Sequence, residues 1–144
     1  MAITLYDATV KSFLRGLEAT AGVLEKGLHH CKTHDIDPDT WLDLRLCADM
    51  LPLSFQIASV HRHSIGAIEG AAAGKFSPPG GLDFEDYAAL QSHIDAATAK
   101  LKKVSPEHVN GLQGQEIVFS VGGTELPFLA EDFLLAFSVP NFYF

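Results

Sequence analysis

Basic residues are scarce in this chain. Ten Lys and Arg stand against 18 Asp and Glu, a formal net charge of -8 with a pI near 5.2. The one cationic cluster is Lys100, Lys102 and Lys103, at a predicted helix end where positive charge complements the dipole. A polyanion would be repelled by such a surface, which excludes nucleic acid as a partner class. Cysteine is almost absent. Cys31 and Cys47 form no CxxC and cannot make a disulfide scaffold, so they read as small buried hydrophobes in a reducing, cytoplasmic protein. Long apolar runs are missing too: the stretch Leu51–Gly74 is interrupted by Gln56, His61, Arg62, His63 and Glu69, which excludes a membrane span. The start, Met-Ala-Ile-Thr-Leu-Tyr-Asp, lacks a basic segment followed by an apolar core, so no signal peptide is expected. No nucleophile elbow, phosphate-binding glycine loop or HExxH occurs, and Gly80-Gly81 and Gly122-Gly123 read as turns.

What is present fits one domain over residues 1–144, long enough to bury about two-thirds of its unfolded surface. Hydrophobic residues reach 47 % and charged ones only 19 %, a tilt that suits a chain hiding extra apolar surface, as a homodimer would. The tilt is strongest at the end: no charge follows Asp132, and Phe144 is the last residue. Domain ends are usually polar and frayed. This one is expected to dock in the core, to be covered by a partner, or to belong to a helix that is short or truncated.

Apolar residues at Tyr6, Val10, Phe13, Leu17, Leu24, Leu28 and Cys31 recur in steps of three, four and seven. That spacing predicts a first long helix ending near residues 31–34, opened by Thr4 and Asp7 as a capping box. Asp37-Pro38 predicts a short helix carrying Trp41, Leu42 and Leu46. Pro52 opens a second long helix to about Ala73, with Gly66 and Gly70 one turn apart for close backbone approach. After a loop over 76–81, Asp83 and Asp86 cap a third helix with Tyr87, Leu90, Ile94, Ala97 and Leu101 inward. Residues 115–121 alternate with period two, with Ile117, Phe119 and Val121 on one face. Gly122-Gly123 turns a hairpin whose return arm carries Pro127, an edge-strand mark. A last helix starts near Ala130 and meets Pro140, which must kink or stop it. The expected class is all-α: a helix bundle with one β-hairpin between helices three and four.

Two segments carry a resemblance. Arg45-Leu-Cys-Ala-Asp-Met-Leu-Pro-Leu-Ser-Phe-Gln56 and Val139-Pro-Asn-Phe-Tyr-Phe144 resemble the signature stretches of an uncharacterised bacterial and fungal family of the DinB/YfiT-like metalloenzyme superfamily. The opening Leu5–Val10 and the hairpin Val121-Gly-Gly-Thr are similar to it as well. The resemblance implies a four-helix bundle of up-down-down-up topology, often dimeric. It also implies a divalent metal held by one histidine on helix two and two on helix four. Residues one turn apart share a helix face, so such a pair can converge on an ion. Here helix two holds His61 and His63, but residues 130–144 hold no histidine, only Glu131 and Asp132 at the helix start. The implied ligand set is incomplete, and no cofactor is expected. His61 is the better of the two for facing the bundle. His30 and His34, one turn apart, are the other weak metal candidates, though histidines near a helix end more simply complement its dipole. His93 and His108 read as surface residues.

The polar candidates for a ligand site are Arg45, Asp49, Gln56, His61, Asn141 and Tyr143. Each has a structural reading beside it. Arg45 and Asp49 can lock the turn into helix two by a charge-assisted hydrogen bond. Gln56 can cap loop carbonyls, and Asn141 can repair the hydrogen bond broken at Pro140. The function that follows is a bundle binding a small apolar ligand or a partner in an interhelical cleft lined by Phe55, Tyr87, Phe137, Phe142 and Tyr143. The alternatives are a metal-dependent, thiol-transferase-like enzyme with an incomplete or partner-completed histidine site, and a structural homodimer.

Overall fold

The computed structural model describes residues 2–78 and 82–144. The chain is mostly helical, as expected, and its β-hairpin gains one short strand to make a small three-stranded sheet. The predicted long helices are present as regions, but three of the four are interrupted. The first opens as α1 (Leu5–Ala8), where Thr4 and Asp7 form the expected reciprocal cap: each backbone N–H donates to the other's side chain at 3.1 Å. It turns at Thr9 and runs on as α2 (Val10–Thr33), which buries Val10, Phe13, Leu17, Leu24 and Cys31 on one stripe. The expected helix around Trp41 is a single 3₁₀ turn, Pro38–Trp41, capped by Asp37. Leu46 lies beyond it with 92 % of its surface exposed, and Cys47 is exposed rather than a buried hydrophobe.

The second region divides at Ser64 into α3 (Leu53–His63) and α4 (Ile65–Ala73). The cause is local. Ser64 takes φ -104°, ψ -96°, and its hydroxyl donates back to the Val60 carbonyl at 2.8 Å, competing with the helical ladder. Gly74 ends α4 in the left-handed region at φ 71°. Lys75–Phe76 then forms β1, so Phe76, expected to open the loop over 76–81, belongs to the sheet; residues 79–81 of that loop lie outside the described residues. Gly70 does permit a close approach, since a side chain there would press on Lys75 and Phe76 at 3.0 Å.

Helix α5 (Tyr87–Leu101) is continuous, capped by Asp86, and buries all five inward residues expected of it. It is followed by the short α6 (Pro106–Asn110). Strands β2 (Glu116–Val121) and β3 (Thr124–Leu129) make the hairpin, with Gly122 and Gly123 both at positive φ, as a two-residue turn of this hand requires. β1 adds to β2 in parallel, pairing Phe76 with Phe119, so β3 with Pro127 is an edge strand. Val121, expected inward, is 43 % exposed because it lies at the hairpin tip, past the end of the core.

Pro140 neither stops the last helix nor stands inside an α-helical ladder. The chain passes from α7 (Ala130–Asp132) through a π-helical segment, Phe133–Ser138, into α8 (Val139–Tyr143), with Pro140 in the first turn of α8. One core unites these elements, with Phe13, Leu17, Ile68, Leu90, Ile117 and Phe133 among its fully buried members. Helices α2 and α3 both pack on α5, and α8 packs on α3 and α2. No helix among the described residues is long and apolar enough to cross a membrane.

Candidate functional site

The interruption at Ser64 and the π-helical segment meet at one point. His63, the last residue of α3, is 6 % exposed, and its Nδ1 lies 3.3 Å from the hydroxyl of Ser138. Phe76 and Phe137 stand against the imidazole at 5.5 and 5.8 Å between ring centres. Burial, with a smaller push from the Arg62 cation, brings His63 down to about 4, so the ring is neutral at pH 7. Ser138 is fully buried. A neutral imidazole and a hydroxyl held among phenyl rings bond to one another and form a polar lock between α3 and the last helical region.

His61 occupies a different face of α3. Its ring stacks on His93 of α5 at 4.0 Å, and Phe84 meets His93 edge-on at 5.2 Å. Burial first, then the neighbouring His93, pushes His61 down to about 4; burial also lowers His93. His93 is therefore not a surface residue, and its Nε2 is buried without a hydrogen-bond partner. The expected choice of His61 as the histidine facing the bundle is corrected as well: both histidines pack inward, and His63 is the deeper.

The remaining candidates stay apart. His30 and His34 stack at 4.0 Å, with His34 Nδ1 held 2.9 Å from the His30 carbonyl. Arg45 and Asp49 are both exposed and make no ion pair among the described residues, so the expected lock between them does not form. Entry into α3 is instead tied by Gln56, whose amide donates to the Leu51 carbonyl at 3.0 Å. Asn141 donates to the Phe137 carbonyl at 2.7 Å, one turn back, and Tyr143 reaches the Ser12 carbonyl at 3.4 Å. No hydrogen bond joins any two of the side chains of Arg45, Asp49, Gln56, His61, Asn141 and Tyr143. The aromatics expected to line a cleft are used elsewhere: Tyr87 is buried with its hydroxyl on the Leu24 carbonyl at 2.8 Å, and Phe142 packs on Phe13.

The clefts lie where the sequence offered no motif. The larger, about 540 Å³, opens between α4, the end of α5 and α6. Its floor is Ile65, Ile68, Ala72 and Val104, and its rim carries Lys103, His108 and the Lys100–Glu69 ion pair at 3.2 Å. A neighbouring cleft of about 380 Å³ is crossed by Arg62, whose guanidinium sits 4.4 Å over the Phe76 ring and donates to the Ser77 carbonyl at 2.9 Å. The only early signal of the larger cleft was the Lys100–Lys103 cluster, read there as a helix-end feature.

With this geometry the fold can be placed. A crystal structure of a DinB family member from Shewanella denitrificans matches with a TM-score of 0.73 over 96 % of this chain and 78 % of that one, at 22 % identity. The likeness defines a DinB-like fold. The chain belongs to the family described as Domain of unknown function (DUF1993), whose model matches residues 5–144. No curated protein matches it. The metal site that the resemblance implies needs one histidine from the second helical region and two from the last. His63 faces the last region, but across from it stand Ser138 and Phe137. Glu131 is occupied by the Gly114 N–H at 2.8 Å, which also lowers its pKa. Among the described residues no three His, Cys, Asp or Glu side chains lie together as ion ligands, so the residues described do not fit that group.

Proposed function

We propose that this DinB-like chain is a binding protein for a small, largely apolar molecule, held in the interhelical cleft of α4, α5 and α6. In this reading α1–α2, α3–α4, α5 and α7–α8 are the four members of an up-down-down-up bundle. The observation that carries it is the 540 Å³ cleft with its floor of Ile65, Ile68, Ala72 and Val104. That volume falls within the roughly 300–1,000 Å³ of small-molecule sites. The cleft also leaves the His63–Ser138 lock intact, so binding and folding do not compete. Nile red, a neutral apolar dye, tests the reading by fluorescence titration. Ala72 is exposed, so Ala72→Phe fills the cleft without touching the core. Dye binding that Ala72→Phe abolishes supports the cleft; binding that it leaves unchanged overturns it.

A second reading rests on His63, the histidine that faces the last helical region. It is the metal-dependent, thiol-transferase-like enzyme whose ligand set another segment or a partner completes. Metal content by elemental mass spectrometry, on untagged protein purified without chelator, decides it. About one equivalent per chain that is lost in His63→Phe supports this reading, and no bound metal removes it.

A further inference from the structure

We infer that the ligand of this cleft is an apolar monocarboxylate, its chain along Ile65, Ile68 and Val104 and its carboxylate against Lys103 and His108. The inference rests on the binding reading above and adds the chemical class. Charge on this molecule points one way: ten basic residues among 18 acidic ones leave a surface that repels anions. The cleft inverts that balance. Its rim carries Lys100 and Lys103 against a single carboxylate, Glu69, which is already paired with Lys100 at 3.2 Å, and the His108 imidazole lies beside them.

Lys103 thus brings an ammonium to the edge of an apolar floor with no ion-pair partner among the described residues. An amphipathic anion satisfies both features at once. Its chain covers the lining that water still reaches, exposed Ala72 and Ala73 and half-buried Val104 above the buried Ile65 and Ile68, and its head accepts charge-assisted hydrogen bonds at the rim. A neutral molecule gains no charge-assisted hydrogen bond from the ammonium. An apolar cation would meet it as a like charge. Lys103 serves as a point charge on a flexible stem, which suits a head group whose depth varies with chain length.

The test compares octanoate with 1-octanol on the whole chain, by isothermal titration and by methyl shifts of Ile65, Ile68 and Val104 in NMR spectra. Octanoate is expected to bind about tenfold more tightly than octanol, the worth of one hydrogen bond to a charged group. Lys103→Met is expected to remove that preference while octanol binding persists. Lys103 is exposed, so the variant is expected to fold as the parent does. Equal binding of the two compounds by the parent, or a preference that survives Lys103→Met with His108→Asn, overturns the carboxylate assignment and leaves the cleft standing. No methyl shift with either compound overturns both. Octanoate shifts confined to other residues also overturn the assignment.

Discussion

The ring of Phe142 occupies the space that a side chain on Gly16 would need: a Cβ built at Gly16 collides with the Cε1 and Cζ of that ring. Phe142 is 6 % exposed and meets Phe13 edge-on at 5.0 Å between ring centres. One glycine in the second turn of α2 therefore seats Phe142 in the core, while Tyr143 and Phe144 after it are exposed.

The first prediction follows from sign. Alanine for glycine inside a helix ordinarily gains about 1 kcal/mol. At Gly22 a Cβ meets nothing within 4 Å, so Gly22→Ala is expected to raise stability by about 0.5–1 kcal/mol. Gly16→Ala is expected to lose about 1–3 kcal/mol by overpacking against Phe142. Urea melts of both variants check this, and two values of the same sign would mean that Phe142 is not seated there.

The π-helical segment gives the second. Phe133 is fully buried and packs on Phe76 at 4.9 Å and Phe128 at 6.0 Å, whereas Phe137 is only partly buried. Phe133→Ala is expected to cost about 3–5 kcal/mol, and Phe137→Ala measurably less. Denaturant melts again decide; a cost near zero at Phe133 would show the last helical region undocked.

The third concerns pH. His63 and His61 are both brought to about 4 in the folded chain from an ordinary 6.5. Between those values the unfolded chain binds protons that the folded chain refuses, so stability is full above about pH 6.5 and falls as pH drops toward 4. For the deeply buried His63 the loss is on the order of 3 kcal/mol across that window, with a smaller share from the half-buried His61. His63→Phe keeps a ring among the phenyl rings and cannot protonate. Its melting temperature is expected to fall less steeply with acid, and an unchanged slope would place the proton uptake elsewhere.

The capping box gives the fourth. The Thr4 hydroxyl accepts from the Asp7 N–H, while the Asp7 carboxylate pairs with Lys11 and accepts from the Thr4 hydroxyl and N–H, and these last contacts, Lys11 first, hold it down at about 2. Thr4→Ala is expected to cost about 1 kcal/mol. Thr4→Ser, which keeps the hydroxyl, should recover most of it in the same melts.

Much of the architecture was legible because it is written in local periodicity. The stripe on α2, the five inward residues of α5, the Thr4–Asp7 cap and the glycine turn at 122–123 depend on neighbours within one turn or one hairpin. So does the edge placement of Pro127. The candidate site was less legible. Arg45 and Asp49 stood out by motif yet end exposed on the turn before α3, while His93, read as surface, lies stacked under His61. Facing residues come from elements distant in the chain, and no spacing rule connects position 61 to position 93.

By itself, then, the amino-acid sequence determined a mostly helical, acidic chain, its helix starts and its family, because caps, periods and signature residues act over short separations. Only the tertiary structure decided the rest. It put β1 beside β2, chose His63 over His61 for the deep position opposite Ser138, and gathered Lys103 and His108 over the floor made by α4. Those outcomes depend on which side chains meet after the chain has folded back, where close packing admits one arrangement and the local pattern admits several.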